Sequence, residues 1–334
     1  MNTYSKAASE ATVGDSGLVA WIALSITLGL TFYIVVKGLP ADVGSLVAYS
    51  VDGCLRAVRS FLTEYQPASV YFWAPIFAIV AAEKLLPADR GQKVFSVGLV
   101  GDLIWFVSGP LFVVFLTSKF RSHMGSVYAF HFDFLTVQSL RALPLWLQVV
   151  IVVLASDLLS WFSHWLKHKV KFLWHFHSIH HSQRELNAFT DHRVHPIEKM
   201  VSVAIRFLPM TLLELKHGVA LGITWWFFTT WHTMIYHANI RTNYGWLRYI
   251  FVTPQSHRVH HSRVPEHQDK NFGTIFSVWD FLFGTQYRDY DVYPEVGVED
   301  DDQPIEYSRN PLIAIKTFGA QLVYPFKLIF RNGI

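Results

Sequence analysis

The chain has 334 residues, 51% of them hydrophobic and 16% aromatic, but only 16% charged. A soluble domain carries about 25% charged residues, so this shortfall, with 27 Phe and 12 Trp, points to a membrane. A net charge of +3, spread along the chain, does not suit nucleic acid, and the single Cys54 excludes a disulfide framework and thiolate metal clusters.

A helix needs roughly 20 mainly apolar residues to cross the hydrocarbon core. Residues 1–16 are polar, and the first apolar run, 17–36, is long enough to cross. Its length and flanks fit an anchor and not a cleaved signal peptide. Runs at 70–86 and 94–116 follow, the second despite Asp102, and a fourth at 145–165 leads directly into the first histidines. Runs at 201–215 and 219–237 flank Lys216, His217 and Gly218, which read as a hairpin tip. A hairpin returns the chain to the face it left, so the histidines after 164 and those after 257 can meet there. Lys84, Arg90, Lys93, Lys167, Lys169, Lys171, Arg184, Arg193 and Lys199 place that face in the cytoplasm by the positive-inside rule. Residues 295–303 read as a solvated acidic loop, and the apolar tail with sparse lysines as a segment lying in the membrane interface.

All but His123 and His131 of the 17 histidines fall between positions 164 and 267. His164 and His168 are spaced i, i+4, and both His177, His180, His181 and His257, His260, His261 form HxxHH triplets, which on a helix share one face. Eight imidazoles exceed what one ion binds, so the spacing implies two metals. A lone histidine is more often a hydrogen-bonding aromatic than a ligand; His123, His131, His217 and His267 are read that way. Glu214 and His217 make a solitary ExxH at the hairpin tip and are discounted, and no HExxH occurs.

The segments HWLKH (164–168), HFHSIHHS (175–182), TDHRVHPIE (190–198), YHANI (236–240), TPQSHRVHHS (253–262) and DKNFGTIFSVWDFLFGTQY (269–287) resemble, in order and spacing, the fatty acid hydroxylase / sterol desaturase superfamily. The resemblance covers roughly 145–290. It implies an all-α integral membrane protein with several transmembrane helices under a cytoplasmic, histidine-rich di-metal helical cap. It divides the chain into a membrane region 1–140, a catalytic region 141–290 and an acidic loop with an interfacial tail, 291–334. It implies two iron ions held by His164, His168, His177, His180, His181, His257, His260 and His261, with His237 of YHANI as a further ligand. His195 of RVHP is a ligand or a near neighbour, and His232 stays open. Asn239 binds through a water or acts by hydrogen bonding behind the ligands. His175, His192 and Trp165 depart from the family pattern.

Metal-bound imidazole leaves its second N–H to be held, usually by a carboxylate. Asp157, seven residues before His164 on nearly the same helical face and within a predicted span, is assigned that task, the alternative being a partner for a nearby Ser or Trp. Asp191, Glu198, Asp269 and Asp280 are weaker candidates. Trp225, Trp226 and Phe228 suit either the substrate's approach or an interfacial aromatic belt.

The implied activity is hydroxylation of a lipid C–H bond with O₂ and two electrons, in a multi-pass protein of a bacterial cytoplasmic membrane or the endoplasmic reticulum. A separate electron donor of cytochrome b5, ferredoxin or flavin reductase type is expected. Desaturation by the same histidines is the alternative. A histidine-rich metal transporter and a bis-histidine haem carrier are more remote, because the histidines cluster at one face in triplets.

Overall fold

The computed structural model describes residues 70–109, 140, 142–211, 229–300 and 302–332. The expected anchor at 17–36, the hairpin tip, His123, His131, His217, Trp225, Trp226 and Phe228 lie outside them. Regular structure among the described residues is helical apart from three isolated bridges, Pro87 with Ile240, Phe251 with Phe276 and Ser262 with Val296.

Helices α1 (Val70–Leu85) and α2 (Val97–Gly109) lead to α3 (Leu145–Lys169), which starts just after Pro144, a residue whose fixed φ suits a helix entrance. One extended residue, Val170, ends α3 and starts α4 (Lys171–His181). Its N–H donates to Leu166 O while its own carbonyl accepts from Trp174 N–H, so the chain turns without losing its backbone hydrogen bonds. Burial of Leu166, Val170 and Leu173 against Val201 of α5 (Pro196–Thr211) fixes the bend. This corner sets the end of α3 beside α4. Helix α6 (229–237), α7 (Pro254–His260), the short α8 (Val278–Leu282) and α9 (Pro311–Asn332) complete the order. Thr253 caps α7 by accepting from Ser256 N–H, with Pro254 at the first helical position.

Among the described residues, two helices, α3 and α9, are long and apolar enough to cross a membrane. The tail expected to lie in the interface is therefore a helix that could also span. Its inner face packs on α2 and α4: Gln321 accepts from Trp105 Nε1–H at 2.8 Å, and Phe326 meets Phe176.

Asp102, read as a charge tolerated in a span, is instead gripped by the residues that follow α4. Its Oδ1 accepts from Arg193 Nε at 2.7 Å, and its Oδ2 from Gln183, Asn187 and Thr190 at 2.7–2.8 Å. Arg193 also pairs with Glu306 at 2.9 Å, so one buried guanidinium ties α2 to the chain before α9. Removing one member of such a set strands the others without water, which is more costly than the pairing is favourable. The packing is close enough that a Cβ at Gly101 would lie 2.4 Å from Glu306 Oε1.

Candidate metal centre

Successive helical residues are rotated by 100°, so i and i+4 nearly coincide while i+3 falls to the other side of i. Each HxxHH triplet divides along this line. On α4, His177 and His181 join His164 and His168 of α3, while His180 turns toward α6. On α7 the pattern is reversed: His257 and His261 join His180 and His237, and His260 crosses to the first group. Two groups result, His164, His168, His177, His181 and His260, and His180, His237, His257 and His261; within each, the candidate ligand atoms lie within 4.8 Å of one another. The reading that each triplet serves as one face gives way to this split.

Both groups fit metal ions. Two nitrogens bound to one ion at about 2.1 Å stand roughly 3.0–3.4 Å apart. The facing Nε2 atoms of His177 and His181 are 3.2 Å apart, those of His180 and His237 3.2 Å, and those of His257 and His261 3.1 Å. His257 Nε2 also lies 2.8 Å from His237 Nε2. A ring nitrogen carries one hydrogen or one lone pair, so His257 Nε2 cannot satisfy two such neighbours by hydrogen bonding alone. Buried and without hydrogen-bond partners among the described residues are also the Nε2 atoms of His164, His168 and His260. Such orphaned nitrogens cost free energy unless a ligand takes them. Burial holds His177, His180, His181, His257 and His261 well below the usual histidine range, and His260 at about 3. The rings are thus neutral at physiological pH, the form a metal binds.

The outward nitrogens are held mainly by backbone. His164 Nδ1–H donates to Phe272 O at 3.0 Å, His260 to Lys270 O at 2.8 Å and His237 to Thr233 O at 2.8 Å. Lys270 sits between Asp269 and Asn271, both left-handed at φ 59° and 58°, and this turn aims its carbonyl at His260. His177 donates to Glu198 Oε1 at 2.8 Å, which also accepts from Lys167 Nζ at 2.7 Å. Asp191 Oδ1 stands 3.9 Å from His237 Nδ1.

Asp157, assigned to orient a ligand, accepts instead from Ile275 N–H, Phe276 N–H and Trp279 Nε1–H at 2.9–3.0 Å. Asp280 accepts from Phe272 N–H, Gly273 N–H, Trp161 Nε1–H and Thr285 Oγ1–H. Together they clamp residues 272–279, and through Phe272 O the clamp reaches His164. At Gly273 a Cβ would fall 2.7 Å from Val252 and 2.9 Å from Asp280 Oδ2, so glycine is required for this fit. Asn239 accepts from Asp89 N–H and donates to Asp89 O, pinning the loop after α1.

His195 belongs to neither group. Its Nε2–H donates to Leu322 O of α9 at 3.1 Å, and its Nδ1 accepts from Ile197 N–H at 3.2 Å, leaving no nitrogen for an ion. His175 and His192 are also outside the groups, and His232 packs on Tyr236 and Phe251.

The fatty acid hydroxylase family profile matches residues 149–285, the segment that carries all nine clustered histidines. Among curated relatives, the chain is 33% identical over 144 residues to ornithine lipid hydroxylase OlsE of Rhizobium tropici, covering 42% of each chain. It is 30% identical over 189 residues to alkylglycerol monooxygenase of Danio rerio, covering 56% of this chain and 41% of the relative. It is 27% identical over 186 residues to very-long-chain aldehyde decarbonylase GL1-1 of Oryza sativa subsp. indica. The chain spans about two fifths of the first two relatives. No solved structure matches. Residues 149–285 thus match a fatty acid hydroxylase domain.

Proposed function

We propose that this chain is a multi-pass, membrane-bound di-iron oxygenase that hydroxylates a C–H bond of a lipid, consuming O₂, two electrons and two protons and releasing water. The observation that carries this reading is the pair of adjoining, buried, all-imidazole groups of five and four histidines. Sulfur-free, carboxylate-poor nitrogen sites suit iron among the first-row metals, and the superfamily implies it. His164, His168, His177, His181 and His260 would hold one ion, and His180, His237, His257 and His261 the other. Bound iron would supply the O₂ activation that no side chain can provide.

The chain's own residues keep the imidazoles neutral by burial and fix their rings through Phe272 O, Lys270 O, Thr233 O and Glu198. They also exclude water, since eight of the nine rings belong to buried residues. Lys167, Lys169 and Lys171 at the α3–α4 corner suit a cytoplasmic face, to which a separate cytochrome b5, ferredoxin or flavin reductase would bring electrons. The membrane region 1–140 and the chain from 291 would flank the catalytic region.

The relatives' names favour an amino- or ether-lipid substrate. The test is mass spectrometry of lipids from cells with and without the protein, supplied with ¹⁸O₂. A lipid heavier by one ¹⁸O atom is expected. Label arriving from water would contradict the oxygenase reading, and a product two hydrogens lighter without added oxygen would make the protein a desaturase.

A further inference from the structure

Two neighbouring tips of the fold expose large apolar side chains that neither the core nor the histidine groups use. One is the 3₁₀ turn Gly245–Tyr249 with Ile250, where Trp246, Tyr249 and Ile250 are 70%, 49% and 41% exposed. The other is the end of α8, where Leu282 and Phe283 are 66% and 54% exposed. Tyr249 meets Phe281 at 5.9 Å and Ser277 N–H donates to Ile250 O at 2.9 Å, so the tips form one patch. Gly284, at φ 73°, lets the second tip turn back. Arg248 lies at the rim, its guanidinium 4.3 Å over Tyr290. An aromatic and aliphatic patch with a basic rim suits the boundary between acyl chains and phosphate headgroups.

Its position points the same way. Phe283 stacks on Trp161 of α3 at 4.4 Å. Below Trp161, α3 exposes Trp146, Val150 and Leu154, the side of a helix apolar enough to cross a membrane. Leu154 lies seven residues before Trp161, or about 10 Å along the axis, so the patch continues the apolar surface of α3 toward the histidines. Inward, Trp161 meets Phe272 edge-on at 6.2 Å, and Phe272 contacts His164, His168 and His260 at 5.1–5.8 Å. Two aromatic rings in series, Trp161 and Phe272, thus separate the exposed patch from the five-histidine group.

We propose that the Trp246–Ile250 and Phe281–Phe283 tips rest in the bilayer interface beside α3 and receive the acyl chain of a membrane lipid, which reaches the histidines past Phe283 and Trp161. The second half of this statement rests on the proposed function; the first does not. The occupant is bilayer lipid and not a second copy of the chain, because the patch is continuous with the exposed side of a candidate span and edged by a cation suited to phosphate.

The single Cys54 makes the test direct. In a Cys54→Ala background, nitroxides at Trp246→Cys, Leu282→Cys and, as a solvent reference, Glu295→Cys are placed in the full chain in phosphatidylglycerol–phosphatidylcholine nanodiscs. Collision with O₂ should exceed collision with a nickel chelate at 246 and 282, and the reverse should hold at 295. Nickel-accessible labels at both tips would overturn the membrane contact. Dipolar broadening between labels of two chains would overturn it in favour of a self-association surface. These readings need no turnover, so they stand apart from any failure of the proposed chemistry. For the substrate's path, Leu282→Lys should raise KM for the lipid roughly fivefold, with kcat within about twofold and metal content unchanged. An unchanged KM would overturn that part alone.

Discussion

The two histidine groups differ in how their rings are held. In the five-histidine group, three outward nitrogens are fixed by the scaffold: His164 on Phe272 O, His260 on Lys270 O and His177 on Glu198. In the four-histidine group only His237 is so anchored, on Thr233 O, while the Nδ1 atoms of His180, His257 and His261 are buried without partners among the described residues. In the first group, three of the five rings are thus held by the protein itself. The second is a crowd of facing nitrogens whose geometry an ion would have to complete. The difference teaches that equal-looking motifs need not give equally organised sites, because the carbonyls that orient a ring come from other segments.

The largest expected effect breaks one group and leaves the other. His257→Ala removes a ring lying between two others in the four-histidine group, so metal should fall from about two ions per chain to about one, with activity reduced more than ~10³-fold. The remaining ion should sit in the anchored group. His260→Ala is the converse test: the anchors on His164 and His177 should let that group retain more metal than the four-histidine group does after His257→Ala. Mass-spectrometric metal counting decides both, and equal losses would remove the distinction.

Next in size are the carboxylates behind the rings. Glu198→Gln disturbs a 2.8 Å contact and should weaken metal affinity by ~10–100-fold. Asp191→Asn, where the oxygen is 3.9 Å from His237, should change it by about threefold or less. Competition with a fluorescent chelator measures the two, and a larger effect at Asp191 would invert the comparison.

Much of this site is legible from spacing. The i, i+3, i+4 triplets announce more imidazoles than one group can use, and eight of the clustered histidines follow from helical geometry, while His237 stands alone in its segment and is reached only through the family resemblance. The division of each triplet between two groups is not legible, since it depends on α4 and α7 facing each other, a tertiary fact. The anchors Phe272 O and Lys270 O are equally silent, because a carbonyl has no sequence identity; the faint signal was the Asp-Lys-Asn-Phe-Gly run, whose left-handed residues aim it. Helical-face reasoning turns Asp157 toward a ligand because it sees its own helix and not residues 275–279 packed against it; of the two readings offered above, the Trp partner is the one Trp279 supplies. In the fold, the described parts of the apolar runs at 70–86, 94–116, 145–165 and 201–215 are largely helical, and Pro144 and Val170 bound the third of them.

Smaller effects sharpen that lesson. Asp157→Asn should leave metal content near two at saturating iron yet destabilise the fold by ~1–3 kcal/mol, because three donors lose a charged acceptor. Thermal unfolding of the metal-loaded and metal-free protein separates this from a ligand's role, which would lower metal content first. His195→Gln should change metal content by less than about a tenth and stability by ~1 kcal/mol, the worth of a hydrogen bond to Leu322 O. Loss of an ion in this variant would return His195 to the ligands.

The most direct measurement is the metal stoichiometry of the purified full-length protein after expression with iron. Close to two iron ions per chain are expected, falling to about one in His180→Ala, because His180 belongs to the four-histidine group while His177 and His181 serve the other. One ion per chain in the unmutated protein under saturating iron, or none, would contradict the two-group centre.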